Sequence, residues 1–399
     1  MSCDGRVGGG VIQSVLSGSG LFTPEHSISN AELVESHVAS VERYNREHAA
    51  EIERGEVEAR VPSSERFIVK ASGIHHRRVL DRTGVLDPER LRPRLPRRDA
   101  DEMSIQCEIS LVAIREALSQ AAREAAEVDA VLVACSNLQR PYPAVAVEVQ
   151  SALGARGWAY DLNVACSSAT FGIQAAVDAI ANGSARCVVV VNPEITSGHN
   201  NFAIRDSHFI FGDACTAVVI EPRETCRSAG GFDVLSTRLE THYSNNIRND
   251  FGFLNSSEEP PRSPDELLFR QNGRQVVKEV CPLVAEHISR HLEETGLTAA
   301  DLGRMWLHQA NLAMNQQIAR RVLGRDPKPD EAPVILDTYA NTSSAGSVIA
   351  FHEHSADLAP GQIGMLCSFG AGYSIGSALL RKRRPGGAAR SEPQASEAQ

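Results

Sequence analysis

The sequence is short of several things, and each shortage removes a class of protein. Its nine cysteines (Cys3, Cys107, Cys135, Cys166, Cys187, Cys215, Cys226, Cys281 and Cys367) are scattered, odd in number and without CxxC spacing. That argues against a disulfide framework or a structural zinc site and fits a reducing cytoplasm, the expected location. No apolar run comes near the roughly 20 residues of a membrane span; the longest stretch is CVVVVN, 187–192. The opening MSCDGRVGGG lacks the apolar core of a secretory leader, so residues 1–10 are expected to be a flexible lead-in. HExxH is absent, and His75-His76 and His352-Glu353-His354 do not share one helical face, so no metal is expected. With a net charge of −10 and no membrane segment, neither nucleic acid nor membrane is an expected partner. The basic run Arg381-Lys382-Arg383-Arg384 leads into residues 383–399, whose composition is that of a disordered tail.

What is present is a long α/β alternation. Apolar residues make up 42% of 399, enough for two domains or one large doubled fold. VIQSVLSGSGLF (11–22) reads as a strand, and Ser29-Asn30 caps a long polar helix over 31–56. FIVKASGI (67–74) reads as a strand, residues 104–126 as an amphipathic helix and DAVLVACSN (129–137) as a buried strand. A helix from Val145, the strand AYDLNV, a helix after Cys166 and the strand RCVVVVNPE follow. CTAVVIEP and FDVLSTRLE are strands with no helix between them. The second half gives a helix over 274–295, the strand MWLHQ, the helix NLAMNQQIARRVLG, the strand VILDTY and a helix after Asn341. It closes on the strand pair IGMLCSFG and YSIGSALLR. The expected class is α/β with mostly parallel strands buried on both faces. SGSGLF and FGAGYSIG have glycines of the nucleotide-binding kind, but neither opens a helix with an acidic residue at the right distance.

An internal echo bears on function. ACSSA (165–169) and ANTSSA (340–345) each follow an Asp-containing strand and enter a helix rich in small residues. Equivalent central helices of a doubled fold would bring Cys166 and Asn341 together. Cysteine is most often a small buried hydrophobe, but a thiol at a helix N-terminus faces unpaired N–H groups that favour the thiolate. His308 ends the strand in MWLHQAN, where α/β active sites collect. Asn341 alone would pass for an N-cap. Together the three form a Cys-His-Asn set, in an order that also suits a papain-like hydrolase, although the local cysteine signature of that class is missing.

At these residues the sequence resembles the β-ketoacyl-acyl-carrier-protein synthase III family of the thiolase superfamily. The segments that carry the resemblance are SGSGLFTPEHSISNAELV, FIVKASGIHHRRV, YPAVAVEVQSALG, DLNVACSSATFGIQAA, FIFGDACTAVVIE, WLHQANLAM, YANTSSAGS and FGAGYSIGSALL, spread from about 11 to 380. The resemblance implies a doubled βαβαβαββ fold with five layers, α-β-α-β-α, with halves over 11–228 and 229–382, and a homodimer. It implies that Cys166 accepts an acyl group, with His308 and Asn341 completing a triad and the backbone N–H groups of Cys166 and Ala371 forming the oxyanion hole. Family members commonly carry glycine at the position of Ala371, and alanine serves there if its φ is negative. The implied reaction joins an acyl-CoA primer to malonyl-acyl-carrier protein, with coenzyme A thioester as substrate and no cofactor.

For substrate contacts the resemblance implies Phe67 and Arg205 at the adenine, Gly273 and Asn311 as further substrate-binding residues, and Tyr142 of a partner subunit closing the acyl pocket. Arg274, Lys278, Arg320 and Arg321 would form a patch for the acidic carrier, and Ala313 replaces an arginine of simpler members. The stretch 38–64 is longer than in those members and is expected to reshape the tunnel mouth toward a medium or long primer. Readings left open are a specialised polyketide or signal-molecule synthase, another acyltransferase, a cysteine thioester hydrolase, or a silent dimer partner.

Overall fold

The computed structural model describes residues 13–384. The expected lead-in, and the expected tail apart from Arg383 and Arg384, lie outside the described residues. Arg383 is tied down, its N–H donating to the Gly231 carbonyl (3.0 Å).

The first half runs β1 (Ser14–Phe22), β2 (His26–Ser29), α1 (Asn30–Glu47), α2 (Ala49–Glu53), α3 (Glu65–Ser72), β3 (His76–Val79) and α4 (Ile105–Ala121). It continues through β4 (Ala130–Ala134), α5 (Val145–Leu153), β5 (Trp158–Leu162), α6 (Ser168–Ala181), β6 (Val188–Glu194) and β7 (Ala214–Pro222). The second half begins with β8 (Phe232–Ser244), β9 (Ile247–Arg248), β10 (Arg270–Gln271), α7 (Gly273–Glu294) and β11 (Leu302–Leu307). It ends with α8 (Leu312–Leu323), α9 (Leu336–Tyr339), α10 (Ala345–Glu353), β12 (Ile363–Gly370) and β13 (Gly372–Lys382). None of the helices among the described residues is long and apolar enough to cross a membrane.

Nine strands form one sheet in the order β11-β12-β13-β8-β1-β7-β6-β4-β5. Only β11–β12, β4–β5 and β4–β6 pair in parallel, so the expectation of a mostly parallel sheet fails. The hairpin β12–β13 and the run β6-β7-β1-β8-β13 are antiparallel, because these strands are joined without a crossover helix or reach back across the halves. The ladder between β1 and β8 holds only two residue pairs, so the sheet is two half-sheets joined at a narrow seam.

Helices α6 and α10 fill the space between the half-sheets. Ala169, Ile173 and Ile180 of α6 and Val348, Ile349 and Phe351 of α10 share one core with strand residues of both halves. A second core packs α4 and α5 on the outer face of the first half-sheet, and a third packs α7 and α8 on that of the second. The result is five layers, α-β-α-β-α, the doubled thiolase-like architecture. Each fully buried valine of β6 contributes about 1.5–3 kcal/mol by leaving water.

The SGSG of β1 takes its meaning from this packing. A Cβ on Gly18 would come within 2.1 Å of the Ala117 carbonyl oxygen of α4, and one on Gly20 within 2.0 Å of that of Ala113. These glycines let a helix lie directly on a strand.

Three local expectations are corrected. The segment read as the strand FIVKASGI is mostly helix α3. Ser64 caps it by accepting from the Phe67 N–H, and Gly73 ends it at φ +81°, so caps override the β-branched composition. VILDTY gives the short helix α9, whose entry is set by the buried Gln309 side chain accepting from the Ile335 N–H (3.1 Å). The single helix expected over 31–56 breaks at His48 into α1 and α2, although Ser29 caps it as expected, through a capping box with Glu32.

Gly18→Val should lower stability by about 1–3 kcal/mol through overpacking, read as a lower urea midpoint. Gly230→Ala, where a Cβ meets open space, should leave the midpoint unchanged.

Candidate active site

Cys166 follows β5 through a tight, side-chain-braced turn. Asn163 Oδ1 accepts from the Ala165 N–H (2.9 Å), Asn163 Nδ2 donates to the Ser136 carbonyl (2.8 Å), and Ser168 Oγ accepts from the Val164 N–H (2.8 Å). Ala165 takes φ +46°, costly for a residue with a Cβ, and the next residue is the thiol, placed just ahead of α6.

The strand end after β12 closes over the sulfur. A Cβ on Gly370 would lie 2.6 Å from Cys166 Cβ, so no side chain fits there. The left-handed conformation in this loop belongs to Gly372 (φ +135°), while Ala371 is not among the residues with positive φ, the condition set for alanine at this position. The N–H groups of Cys166 and Ala371 both address the sulfur.

Burial nonetheless pushes the Cys166 thiol up to about 11, outweighing the Ser343 hydroxyl (3.5 Å) and the two N–H groups that pull it down. The helix N-terminus therefore does not deliver a resting thiolate, contrary to expectation, because desolvation of the charged form is the larger effect.

Asn341 is placed by a seam between the halves. Its N–H donates to the Ile210 carbonyl (3.0 Å), and its carbonyl accepts from the Gly212 N–H (3.1 Å). Its Oδ1 accepts from the Ser343 N–H (2.9 Å), which turns Nδ2, a pure donor, to the free edge. The loop carries two more non-glycine residues at positive φ, Ala340 (+58°) and Ser343 (+50°). His308 directly follows β11, its N–H donating to the Cys367 carbonyl (2.8 Å), and its ring meets Phe369 edge-on at 5.2 Å. Burial drives its pKa down to about 4, so the imidazole is neutral at physiological pH.

Cys166, His308 and Asn341 line one cavity of about 1090 Å³. Phe67, Arg205, Gly273, Arg274 and Asn311 line it as well. Arg205 lies flat on Phe67, 3.6 Å from the ring centroid, and donates to the Pro62 carbonyl (3.1 Å) of the 38–64 stretch. No planar base fits between the two as placed, so the expected sandwich is instead a direct stack. Asn311 caps α8 and donates to the Ala71 carbonyl, tying α8 to α3. Tyr142 is 83% exposed and lines no part of this cavity. Arg274 and Lys278 stand one turn apart on the exposed side of α7, and Arg321 is exposed on α8, while Arg320 is paired with Asp326.

Sequence reasoning missed Glu194, which is fully buried at the end of β6. It accepts from the Ser136 N–H (3.0 Å) and hydroxyl (2.6 Å) and from the Ser344 N–H (3.2 Å) and hydroxyl, so it binds the loop after β4 to the loop of Asn341. A lone carboxylate closing the apolar run VVVVNP was the available signal.

Residues 160–242 match the family described as 3-oxoacyl-(acyl-carrier-protein) synthase III, and residues 292–382 match its C-terminal family. A beta-ketodecanoyl-(acyl-carrier-protein) synthase of Pseudomonas aeruginosa is 59% identical over 88% of this chain and 100% of its own length. A beta-ketoacyl-(acyl-carrier-protein) synthase III of Granulibacter bethesdensis is 31% identical, covering 67% of this chain and 82% of that protein. The crystal structure of a 3-oxoacyl-(acyl-carrier-protein) synthase III from Aquifex aeolicus superposes with a TM-score of 0.71 at 23% identity, covering 92% of this chain and 99% of that one. The fold is that of the thiolase-like enzymes, which sets the papain-like alternative aside. The chain belongs to the β-ketoacyl-acyl-carrier-protein synthase III family and is an acyltransferase.

Two outcomes follow from the neutral site. Alkylation of Cys166 by iodoacetamide, followed by peptide mass mapping, should quicken about tenfold per pH unit from 7 to 9.5, since the thiolate reacts and its pKa lies above that range. The pH profile of kcat/KM should show no acid limb near 6.5 belonging to His308, because His308 protonates only near 4; such a limb, lost in His308→Gln, would contradict this.

Proposed function

We propose that the chain condenses an eight-carbon acyl-CoA with malonyl-acyl-carrier protein to give a ten-carbon β-ketoacyl-carrier protein. The observation that carries this reading is the convergence of Cys166, His308 and Asn341 on one cavity. The chain length comes from the relative named for a β-ketodecanoyl product, because a two-carbon extension to ten carbons starts from eight.

Cys166 sulfur attacks the primer thioester, its proton passes through neutral His308 to the departing coenzyme A sulfur, and the acyl group stays on the enzyme. The tetrahedral oxygen is held by the N–H groups of Cys166 and Ala371, each such donor typically lowering the barrier by about 3–4 kcal/mol. Malonyl-carrier protein then enters and loses carbon dioxide. The enolate oxygen takes hydrogen bonds from the His308 ring and Asn341 Nδ2, and no proton need be drawn from carbon. The enolate carbon attacks the acyl-Cys166 carbonyl, and the sulfur leaves as thiolate to be reprotonated.

The exposed cations Arg274, Lys278 and Arg321 would attract an acidic carrier, and of the three Arg274 lines the cavity itself. Strand β5 ends the sheet with Tyr160 41% exposed and stacked on Trp158, an edge suited to pairing with a second copy, whose Tyr142 would reach this cavity. Eight free cysteines among the described residues fit a cytoplasmic site of action.

With labelled malonyl-carrier protein, octanoyl-CoA should yield β-ketodecanoyl product and carbon dioxide, with kcat/KM at least about tenfold above acetyl-CoA. Cys166→Ala should lose the product yet still release carbon dioxide, whereas His308→Ala and Asn341→Ala should lose both. Equal rates with acetyl and octanoyl primers would contradict the chain length, and absence of carbon dioxide release would contradict the reaction.

A further inference from the structure

Beside the catalytic cavity lies a second cavity of about 350 Å³, within the size range of small-ligand pockets. Its walls include Ile105, Leu138, Ile195, Phe251, Leu267 and Leu268, so it is suited to alkyl chain. The outer side is built by the excursion between β9 and β10, through the 3₁₀ turns Phe253–Ser257 and Pro264–Leu267. The two cavities share no lining residue.

Three mutually packed rings separate them. Phe211 and Phe269 face the catalytic cavity, and His199 faces the outer chamber. The His199 ring meets Phe211 edge-on at 5.0 Å and lies 6.3 Å from Phe269, and the two phenylalanines meet at 4.7 Å and 89°.

The two sides of this wall are held differently. Phe211 is fixed by its backbone bridge to Asn341, so moving it would disturb the catalytic loop. The His199 backbone is held too, its carbonyl accepting from the Phe269 N–H (3.0 Å), but its ring is restrained only by one side-chain hydrogen bond, Asn137 Nδ2 donating to Nδ1 at 2.5 Å. Its ring is neutral, because burial lowers its pKa to about 4, and it can lie against an alkyl chain without burying charge.

The geometry points to His199 as the residue that sets acyl-chain length: its ring is the movable part of the partition, and a medium-length chain on Cys166 passes it into the chamber. This assignment rests on the cavity being the acyl site of the proposed reaction. Short chains stay within the catalytic cavity and do not meet the ring.

The test uses the full chain, malonyl-carrier protein and acyl-CoA primers from butyryl to lauroyl. His199→Ala should raise kcat/KM for decanoyl- and lauroyl-CoA relative to butyryl-CoA by about tenfold or more, mainly through KM. His199→Trp should lower octanoyl relative to butyryl by a similar factor, with butyryl turnover kept. Leu268→Trp fills the chamber while leaving the His199 side chain unsubstituted, and should shorten the profile in the same way. Butyryl turnover reports folding of each variant, and the Leu268 variant decides if a His199 variant does not fold. Unchanged primer ratios in the folded variants would overturn the assignment while leaving the condensation intact. Failure of the unmutated chain to make ketoacyl product from any primer would instead sink the reading on which it rests.

Discussion

The structure depends on the close packing of two helices rich in small residues between two half-sheets. A Cβ on Gly172 of α6 would press within 2.7 Å of Val190 Cγ1 and 3.1 Å of Ala134 Cβ, so the helix can sit against β4 and β6 only with glycine there. Gly346 plays a related part in α10, where a Cβ would come to 3.3 Å of the Gln309 side chain that pins the turn after His308. Because α6 and α10 start from the two halves and share one core, their N-terminal turns meet. The site is therefore a consequence of the middle layer, and the strain at Ala165, Ala340 and Ser343 is held in place by that layer's burial.

The electrostatics of the site are those of a neutral resting state. Burial raises the thiol of Cys166 and lowers the imidazole of His308, so neither carries charge at physiological pH. In the proposed reaction negative charge would arise only on the reacting oxygens, where preorganised N–H donors cost no reorganisation at the moment of reaction. Glu194 is the exception in kind. Burial raises its pKa, opposed by donors from Ser136 and Ser344, and its bonds hold two loops around the sulfur.

Much of this was legible in the sequence, for physical reasons. The alternation of buried strands and amphipathic helices gave the α/β class, and the matched ACSSA and ANTSSA segments correspond to the starts of α6 and α10. His308 and Asn341 were visible because a strand end and a small-residue helix start are local features. What was not legible was set by contacts distant in sequence. FIVKASGI has the composition of a strand, but Ser64, Gly73 and the surrounding core make it a helix. The antiparallel centre of the sheet follows from β1 lying between β7 and β8, a pairing that periodicity cannot reveal. The thiol's raised pKa could not be read from a helix N-terminus, since the amount of surrounding protein decides it. The stack of Arg205 on Phe67 involves residues 138 positions apart, brought together by the 38–64 stretch.

The proposed chemistry requires that the middle layer present Cys166, and no other cysteine, to an acyl thioester. Intact-protein mass spectrometry after incubation with octanoyl-CoA alone, followed by peptide mapping, tests it most directly. One octanoyl adduct is expected, on the peptide carrying Cys166 and absent from Cys166→Ala. An unmodified protein, or an adduct mapped to a different cysteine, would contradict it.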